Sequence, residues 1–567
     1  MDKGFLFLLL LATFASCTHQ ETKMEEVYTS KLPSLYIDIQ PEELNSVLSN
    51  CDYKAPARAL LLSAVNDTLF EGELDHIKTR GNTTFSENKK PFTIKFLQKQ
   101  KLLGLNKNRS FVLLANAKDE SHIRNTIAFD LAQIIGLPAP KYAYVSLYIN
   151  GEYKGLYQMT NKVEVGKHTL NITDLDKLNK QANTRPLSEY NTWSDYGINE
   201  QTVLHKGVLL EHDPIDITGG YLLDNSGMNW IYCKSISGFV SNAGDPIRIR
   251  TPKYASPNEV NYIETFYNQM EAAVFSVDGY NPQTGKHYSE YIDMESFARY
   301  YLLNELLLNQ DGGFASFFMY KDSDSIDSKL YAGPVWDFDK SLYCPRCNAE
   351  VIVFNEIYAG AEIGDFDEPH SKGLLFHLLR HEDFRRSVKD IYYQIVSPSC
   401  HEYLNRGSID SLVNVLCDEA NKDNQLYHTR INADYYTAVN MAIEFLKRRL
   451  EFFDWYFSSS LNDIISADYK SKSKYPHERK IRIIYRVGEP IPAPSHLKPV
   501  VYKYDLVHEL YVAGTDSIIP DGTVLYTARN LELRWREPTW REVQMRRIRK
   551  KLMKWGLAGV FEDANLP

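Results

Sequence analysis

Residues 330–343, LYAGPVWDFDKSLY, set Asp337 and Asp339 one residue apart, with Trp336 and Phe338 filling the alternate positions of an otherwise apolar run. Working outward, the run is preceded by Asp311 before Gly312-Gly313, then by FASFFMY at 314–320 and the polar KDSDSIDSK at 321–329. Two apolar runs around a polar loop predict an antiparallel hairpin. A turn centred near Ser323 to Ser325 places position 311 opposite roughly 337, so Asp311 and Asp337 are expected to meet at the open end. Strand period puts Asp337 and Asp339 on one face, with Trp336 and Phe338 on the other and available for burial. Carboxylates converging beside a core are costly unless something positive compensates them. One resolution is a hard divalent cation such as Mg²⁺, which takes one or two carboxylates plus water and phosphate oxygens. The other is that the acids cap a turn or pair with surface lysines.

Two helices are expected before this hairpin. SPNEVNYIETFYNQMEAAVFS opens with Ser256, Pro257 and Glu259 in capping-box positions and lines Val260, Ile263, Tyr267, Met270 and Val274 along one face. DMESFARYYLLNELLLNQDGG follows, with Asp293 as its cap and Gly312-Gly313 as its stop. From 33 to about 170 short alternating runs dominate, and NGEYKG forms a hairpin turn between VSLYI and LYQMT. Within that region ESHIRNTIAFDLAQIIG has helical spacing at Ile123, Ile127, Leu131 and Ile134. The polar residues 172–205 read as an insertion or long loop, 372–460 as mainly helical, and 479–536 as strand-rich. The fold class is therefore α+β.

With 567 residues, 44% hydrophobic and 24% charged, the chain has the composition of a folded protein of more than one domain. A net charge of -9 is too mild to point to nucleic acid as a partner.

At the N-terminus, MDKGFLFLLLLATFASC has a lysine, a short apolar run and small residues before Cys17. The run is too short to span a bilayer and reads as a cleaved export signal. Its FASC ending resembles the lipobox of bacterial lipoproteins, which implies a signal peptide over 1–16, lipidation of Cys17 and a polar tether over 17–33. The expected localisation is the cell envelope, anchored to the membrane by lipid. Of the six other cysteines only Cys344 and Cys347 are close in sequence; with no further zinc ligands near them, a local disulfide or two free thiols is expected.

Taken in order, IKTRGNTTFSENKKPFTIKF, FVLLANAKDESHIRNTIAFDLAQIIG, VSLYINGEYKGLYQMT, GGYLL, QDGGFASFFMYKD and GPVWDFDKSL resemble the spore-coat protein H (CotH) kinase family, particularly its lipoprotein members of Bacteroidetes type. The resemblance covers roughly 34–455, within an expected kinase-like domain over 34–460. It implies an atypical protein-kinase-like, two-lobed fold with a mainly helical C-terminal part, ATP with Mg²⁺ or Mn²⁺ as cofactors, and phosphate transfer to a protein of the cell envelope or surface. Carried over residue by residue, Asp311 falls at the catalytic aspartate and Asp337 at the metal-binding one, with Asp339 as a second possible metal ligand. The nucleotide-binding lysine is implied in KKPFTIKF, Lys90 first and Lys95 second, with Arg80 and Arg124 as further cations. Where many members have Thr-Glu, this chain has Thr160-Asn161, with Glu164 close by.

Two alternatives stay beside this reading: a catalytically weak pseudokinase serving as a surface scaffold or adhesion lipoprotein, and a nucleotidyl transferase that moves AMP at the same metal site. Residues 474–540, expected as a small β domain, resemble β-grasp-like repeats of bacterial surface proteins. In the basic tail, 541–567, Met545, Ile548, Leu552 and Trp555 share one helical face, suited to packing on a neighbouring domain or resting on an anionic membrane.

Overall fold

The structure, a computed structural model, describes residues 31–81, 84–196, 203–225, 235–313, 315–342, 354–364, 373–427, 434–471, 478–491, 509–513, 518–519, 523–525, 533–536 and 541. Cys17, the Cys344 and Cys347 pair and nearly all of the basic tail lie outside the described residues. Cys51, Cys400 and Cys417 are free thiols. No helix among the described residues is long and apolar enough to cross a membrane.

Seven strands near the N-terminus close into a barrel: β1 (Ser34–Asp38), β2 (Ala55–Leu62), β3 (Thr68–Thr79), β4 (Phe92–Gln100), β5 (Asn108–Leu114), β6 (Tyr142–Ile149) and β7 (Glu152–Asn161). They run in the order β1-β2-β3-β4-β5-β7-β6, and the closing pair, β1 with β6, is parallel. Period-two burial produces the interior: Ala55, Ala57, Ala59 and Leu61 of β2 and Phe92, Ile94 and Phe96 of β4 point inward. Closure leaves no edge strand exposed. Helix α1 (Pro41–Ser49) caps the barrel through Val47, whose carbonyl accepts a bond from the Thr79 hydroxyl, and α2 (Arg124–Ile134) is inserted between β5 and β6. Ile123, Ile127 and Leu131 of the expected face are buried, whereas Ile134 is exposed.

The segment expected as a loop over 172–205 instead contains α3 (Leu175–Ala182) and β8 (Thr192–Tyr196), and β9 (Val203–Val208) begins within it. Short polar-rich elements of this kind show little periodicity because most of their side chains stay in water. β8 and β9 join β10 (Tyr221–Asn225), β11 (Ser237–Val240), β12 (Pro246–Thr251), β13 (Phe317–Lys321) and β14 (Leu330–Ala332) in a second sheet ordered β14-β13-β10-β12-β11-β9-β8.

One face of this sheet packs on α4 (Pro257–Phe275) and α5 (Met294–Leu306), with Leu223, Phe239 and Ile247 against Val260, Ile263 and Tyr267. The capping box on Ser256 and Glu259 is present, as is the Asp293 cap of α5. Such a cap contributes about 1 kcal/mol. Helix α5 stops at Leu306, before the expected Gly312-Gly313, because the chain enters the left-handed region at Leu308 (φ 46°). The opposite face of the sheet carries Leu222 and Phe318 beneath Val163, Val165, Leu170 and Ile172.

The remaining helices are α6 (Leu374–Leu378), α7 (Glu382–Ile391), α8 (Ser397–Asn405), α9 (Ser408–Tyr427) and α10 (Tyr435–Ser458). Two buried ion pairs tie them to the strands. Lys89 donates to the Leu156 carbonyl at 2.6 Å and reaches Asp423 of α9 at 2.5 Å, while the Leu156 amide donates to the same carboxylate at 2.7 Å. Only glycine fits beside this pair, since a Cβ on Gly155 would stand 2.2 Å from the Asp423 carboxylate.

Arg449 of α10 is fully buried, pairs with Glu305 at 3.1 Å and donates to the carbonyls of Phe354 and Glu356. Glu305 in turn accepts from the amides of Tyr358 and Gly360, so this ion pair stands in for a neighbouring strand along β15 (Glu356–Gly364). On its other edge β15 pairs with β17 (Glu478–Arg486), which pairs with β16 (Ile464–Ser471). The strand-rich C-terminal piece thus shares its sheet with a strand contributed by residues 356–364.

Candidate active site

The β13–β14 hairpin forms as expected, but its register differs. Met319 lies opposite Ala332 and Tyr320 opposite Tyr331, three residues away from the expected pairing. The polar turn winds tightly, with the amides of Ile326 and Asp327 both donating to the Ser323 carbonyl, and this moves its centre. Projected beyond the strands, the observed register sets Lys340 opposite Asp311. Lys340 is indeed its partner, with its ammonium 3.1 Å from the Asp311 carboxylate.

Residues 333–338 are irregular rather than a strand, and Asp337 has φ 69°. A side chain in the left-handed region costs on the order of 1 kcal/mol or more, and such strain gathers at functional sites. Surrounding bonds enforce it. The Asn125 side-chain Oδ1 accepts from the Phe338 amide at 2.9 Å, the Ser316 hydroxyl donates to Asp337 at 3.1 Å, and Phe338 is buried.

Asp311, Asp337 and Asp339 therefore gather around Lys340. Burial and the Asp311 charge hold the Asp337 carboxyl above its usual range. Burial, followed by the charges of Asp337 and Asp311, pushes Asp339 up to about 7. Burial opposes the charge of Lys340, yet Asp311, Asp339 and Asp337 keep its ammonium above its usual range. One lysine does not balance three acids, and Lys118, a cation that the sequence analysis passed over, adds a second positive influence on Asp339.

A pH effect follows. The folded metal-free protein holds the Asp339 proton more tightly than the unfolded chain does. That proton stabilises the fold below about pH 4, and its contribution is lost as pH rises through about 7. Thermal unfolding is expected to move to lower temperature across this window in wild type but not in Asp339→Asn; parallel curves would contradict the assignment.

Opposite the acids stands a group of cations. Arg80 lies with its guanidinium 5.1 Å from the centroid of the Trp336 ring, and its Nη1 is buried without a hydrogen-bond partner. Burial and the charge of Arg250 depress Arg80 to about 10, with Asp337 acting in the other direction. Lys162 keeps 47% of its side chain open, yet crowding by protein, joined by Arg250 and Arg80, lowers its pKa. Its nearest carboxylate is Glu164 at 3.7 Å. Arg248 and Arg250 share the outer face of β12, and both stand 4.0 Å from Asp224, whose Oδ1 is also buried without a partner.

Of the cations singled out in the sequence, only Arg80 belongs to this group. Lys90 donates to the Phe85 carbonyl and lies over the Phe85 ring. Lys95 pairs with Asp75 at 3.0 Å, on the face of β4 turned away from the barrel interior. Arg124 pairs with Asp119 at 3.2 Å and donates to the Lys118 carbonyl. Lys162 and Arg250 escaped the sequence analysis because each looks like an isolated surface charge. The available signal was PIRIRT, 246–251, whose period-two pattern puts both arginines on one face.

Asn161 serves the backbone. Its Oδ1 accepts from the Asn106 amide at 3.0 Å and its Nδ2 donates to the Asn106 carbonyl at 2.9 Å. A carboxylate cannot donate, so Asn161→Glu is expected to cost about 1–3 kcal/mol in denaturant unfolding through an unpaired carbonyl and a buried charge. Unchanged stability together with increased turnover would show instead that a glutamate belongs there.

The donor set suits a hard divalent cation. It consists of carboxylates, two of which protonate more readily than usual because they are buried and crowded by neighbouring acids. Among the described residues no three His, Cys, Asp or Glu side chains form a ready-made metal cage. A cation there would need water and phosphate oxygens to complete its shell. Acids on one side and an excess of cations on the other, on an α+β scaffold, form an arrangement that an anionic ligand with a metal would suit. The family model described as CotH kinase protein matches residues 77–453, and the chain belongs to that family. Membership carries a kinase-like function with it. Compared with curated proteins, the chain matches none.

Proposed function

We propose that this protein is an exported, lipid-anchored kinase of the two-lobed, kinase-like type that transfers the terminal phosphate of ATP to hydroxyls of a cell-envelope protein. The observation that carries this reading is the opposition of two clusters of like charge, the acids around Lys340 and the cations around Arg80. Asp337 and Asp339 would hold Mg²⁺ or Mn²⁺, which when bound screens phosphate charge. Arg80, Lys162 and Arg250 bind and orient phosphate oxygens; an arginine does this with two donors at once. Asp311 accepts the proton of the acceptor hydroxyl, and Lys340 fixes the direction of its carboxylate. Asn125 and Ser316 position the acids. Lipidation of Cys17 would keep the enzyme at the membrane beside its substrates.

Incubation of the purified protein with ATP, Mg²⁺ or Mn²⁺ and an envelope extract, followed by intact-mass analysis of the products, tests the reaction. A mass gain of one phosphate supports it. A gain of AMP replaces it with nucleotidyl transfer. No transfer by a protein that also binds no nucleotide makes it a scaffold.

A further inference from the structure

A groove of about 600 Å³ lies well away from the acids, between the solvent side of α4, the segment around Lys286 to Tyr291, and the β13–β14 turn. Asp337 and Ser316 lie at the open end of that hairpin and the groove at its turn end. β13 separates the two by roughly 17 Å, at 3.3 Å per residue.

The lining has an unusual balance. Tyr262 and Phe266 stand one helical turn apart, and Phe266 meets Tyr291 edge-on at 5.8 Å. Tyr262 is locked in place, stacked on Tyr221 at 6.0 Å and donating its hydroxyl to Asp324 at 3.0 Å. Asn261, Thr265 and Gln269, four residues apart on the same helix, line the groove, and among the described residues their side-chain polar groups have no hydrogen-bond partner. The charged lining residues, Lys286, Glu290 and Asp324, nearly cancel, and the buried Lys321 ammonium, 5.7 and 5.1 Å from the Tyr262 and Phe266 ring centroids, is paired with Asp324.

We infer that this groove is a binding site for a neutral saccharide, with Asn261 and Gln269 reading hydroxyls and Tyr262 and Phe266 stacking against the apolar faces of sugar rings. An amide presents a donor and an acceptor side by side, as a hydroxyl array requires. Aromatic faces supply contact area, and rings already fixed in place lose little entropy on binding. The absence of a cation cluster among the lining residues disfavours phosphate, and amides, hydroxyls and charges interleaved with the aromatic rings disfavour lipid.

Calorimetry of the full chain against cello-, xylo-, malto- and chitohexaose tests the inference. At least one is expected to bind at millimolar concentration or better, with affinity indifferent to salt. In Asn261→Ala/Gln269→Ala, whose side chains hold nothing else in place, affinity should fall at least about tenfold, the effect of a lost hydrogen bond. Asp337→Ala should bind the sugar as wild type does, which separates this site from the acids. No binding by any of the four, or equal binding by wild type and the double variant, would overturn the inference.

Discussion

Asp337→Ala is expected to lose Mg²⁺-dependent ATP binding and, with it, all phosphate transfer, while Asp311→Ala keeps the binding and loses turnover by roughly 10² or more. The difference would arise because, in the proposed reaction, the two acids act at different stages. In the proposed reaction Asp337, which interacts electrostatically with Arg80, would hold the metal and so contribute to ground-state binding, and its removal would weaken the first step. Asp311, paired with Lys340, would act when the acceptor hydroxyl surrenders its proton. Asp339→Ala should follow Asp337→Ala if both carboxylates reach the cation. Calorimetry with Mg²⁺-ATP alongside a transfer assay reads both quantities. Identical nucleotide affinity in wild type and an equally folded Asp337→Ala would refute the metal assignment.

The second large effect is on stability. Asp423→Ala leaves the Lys89 ammonium buried with only the Leu156 carbonyl as a hydrogen-bond acceptor, and strips the Leu156 amide of its partner. Removing one member of a buried pair costs about 3–5 kcal/mol, because the remaining charge cannot return to water. The tyrosine ring beside Lys89, 4.8 Å from its nitrogen at Tyr157, softens this cost without removing it. Lys89→Met with Asp423→Leu should recover most of the loss, since two apolar groups leave no orphaned charge. Urea unfolding of the single and double variants decides the matter, and a single variant as stable as wild type would show that the pair is dispensable.

What could be read in advance follows a physical line. The α4 cap and face, the α5 cap and the β6–β7 hairpin with left-handed Asn150 and Gly151 were legible because each is specified within a few residues. Barrel closure was not, because the parallel pairing of Ser34 with Ser146 joins segments far apart in the chain and leaves no local mark. The acids were legible as a group; their exact partners were not, since a tight turn moved the register by three residues and put Lys340 where Asp337 was expected. In the KK pair before β4, local pattern could not tell which lysine enters the interior. Lys89 does so because Asp423, more than 300 positions further on, waits there.

The strand β15 limits how this protein can be remodelled. One of its edges is satisfied by the Glu305 and Arg449 side chains and the other by β17, which belongs to the C-terminal sheet. A chain ended after residue 460 would bare the β17-facing edge of β15 and invite intermolecular pairing. The C-terminal sheet is therefore not a cassette that recombination can exchange at will. A lineage that shed it would first need some other cover for residues 356–364.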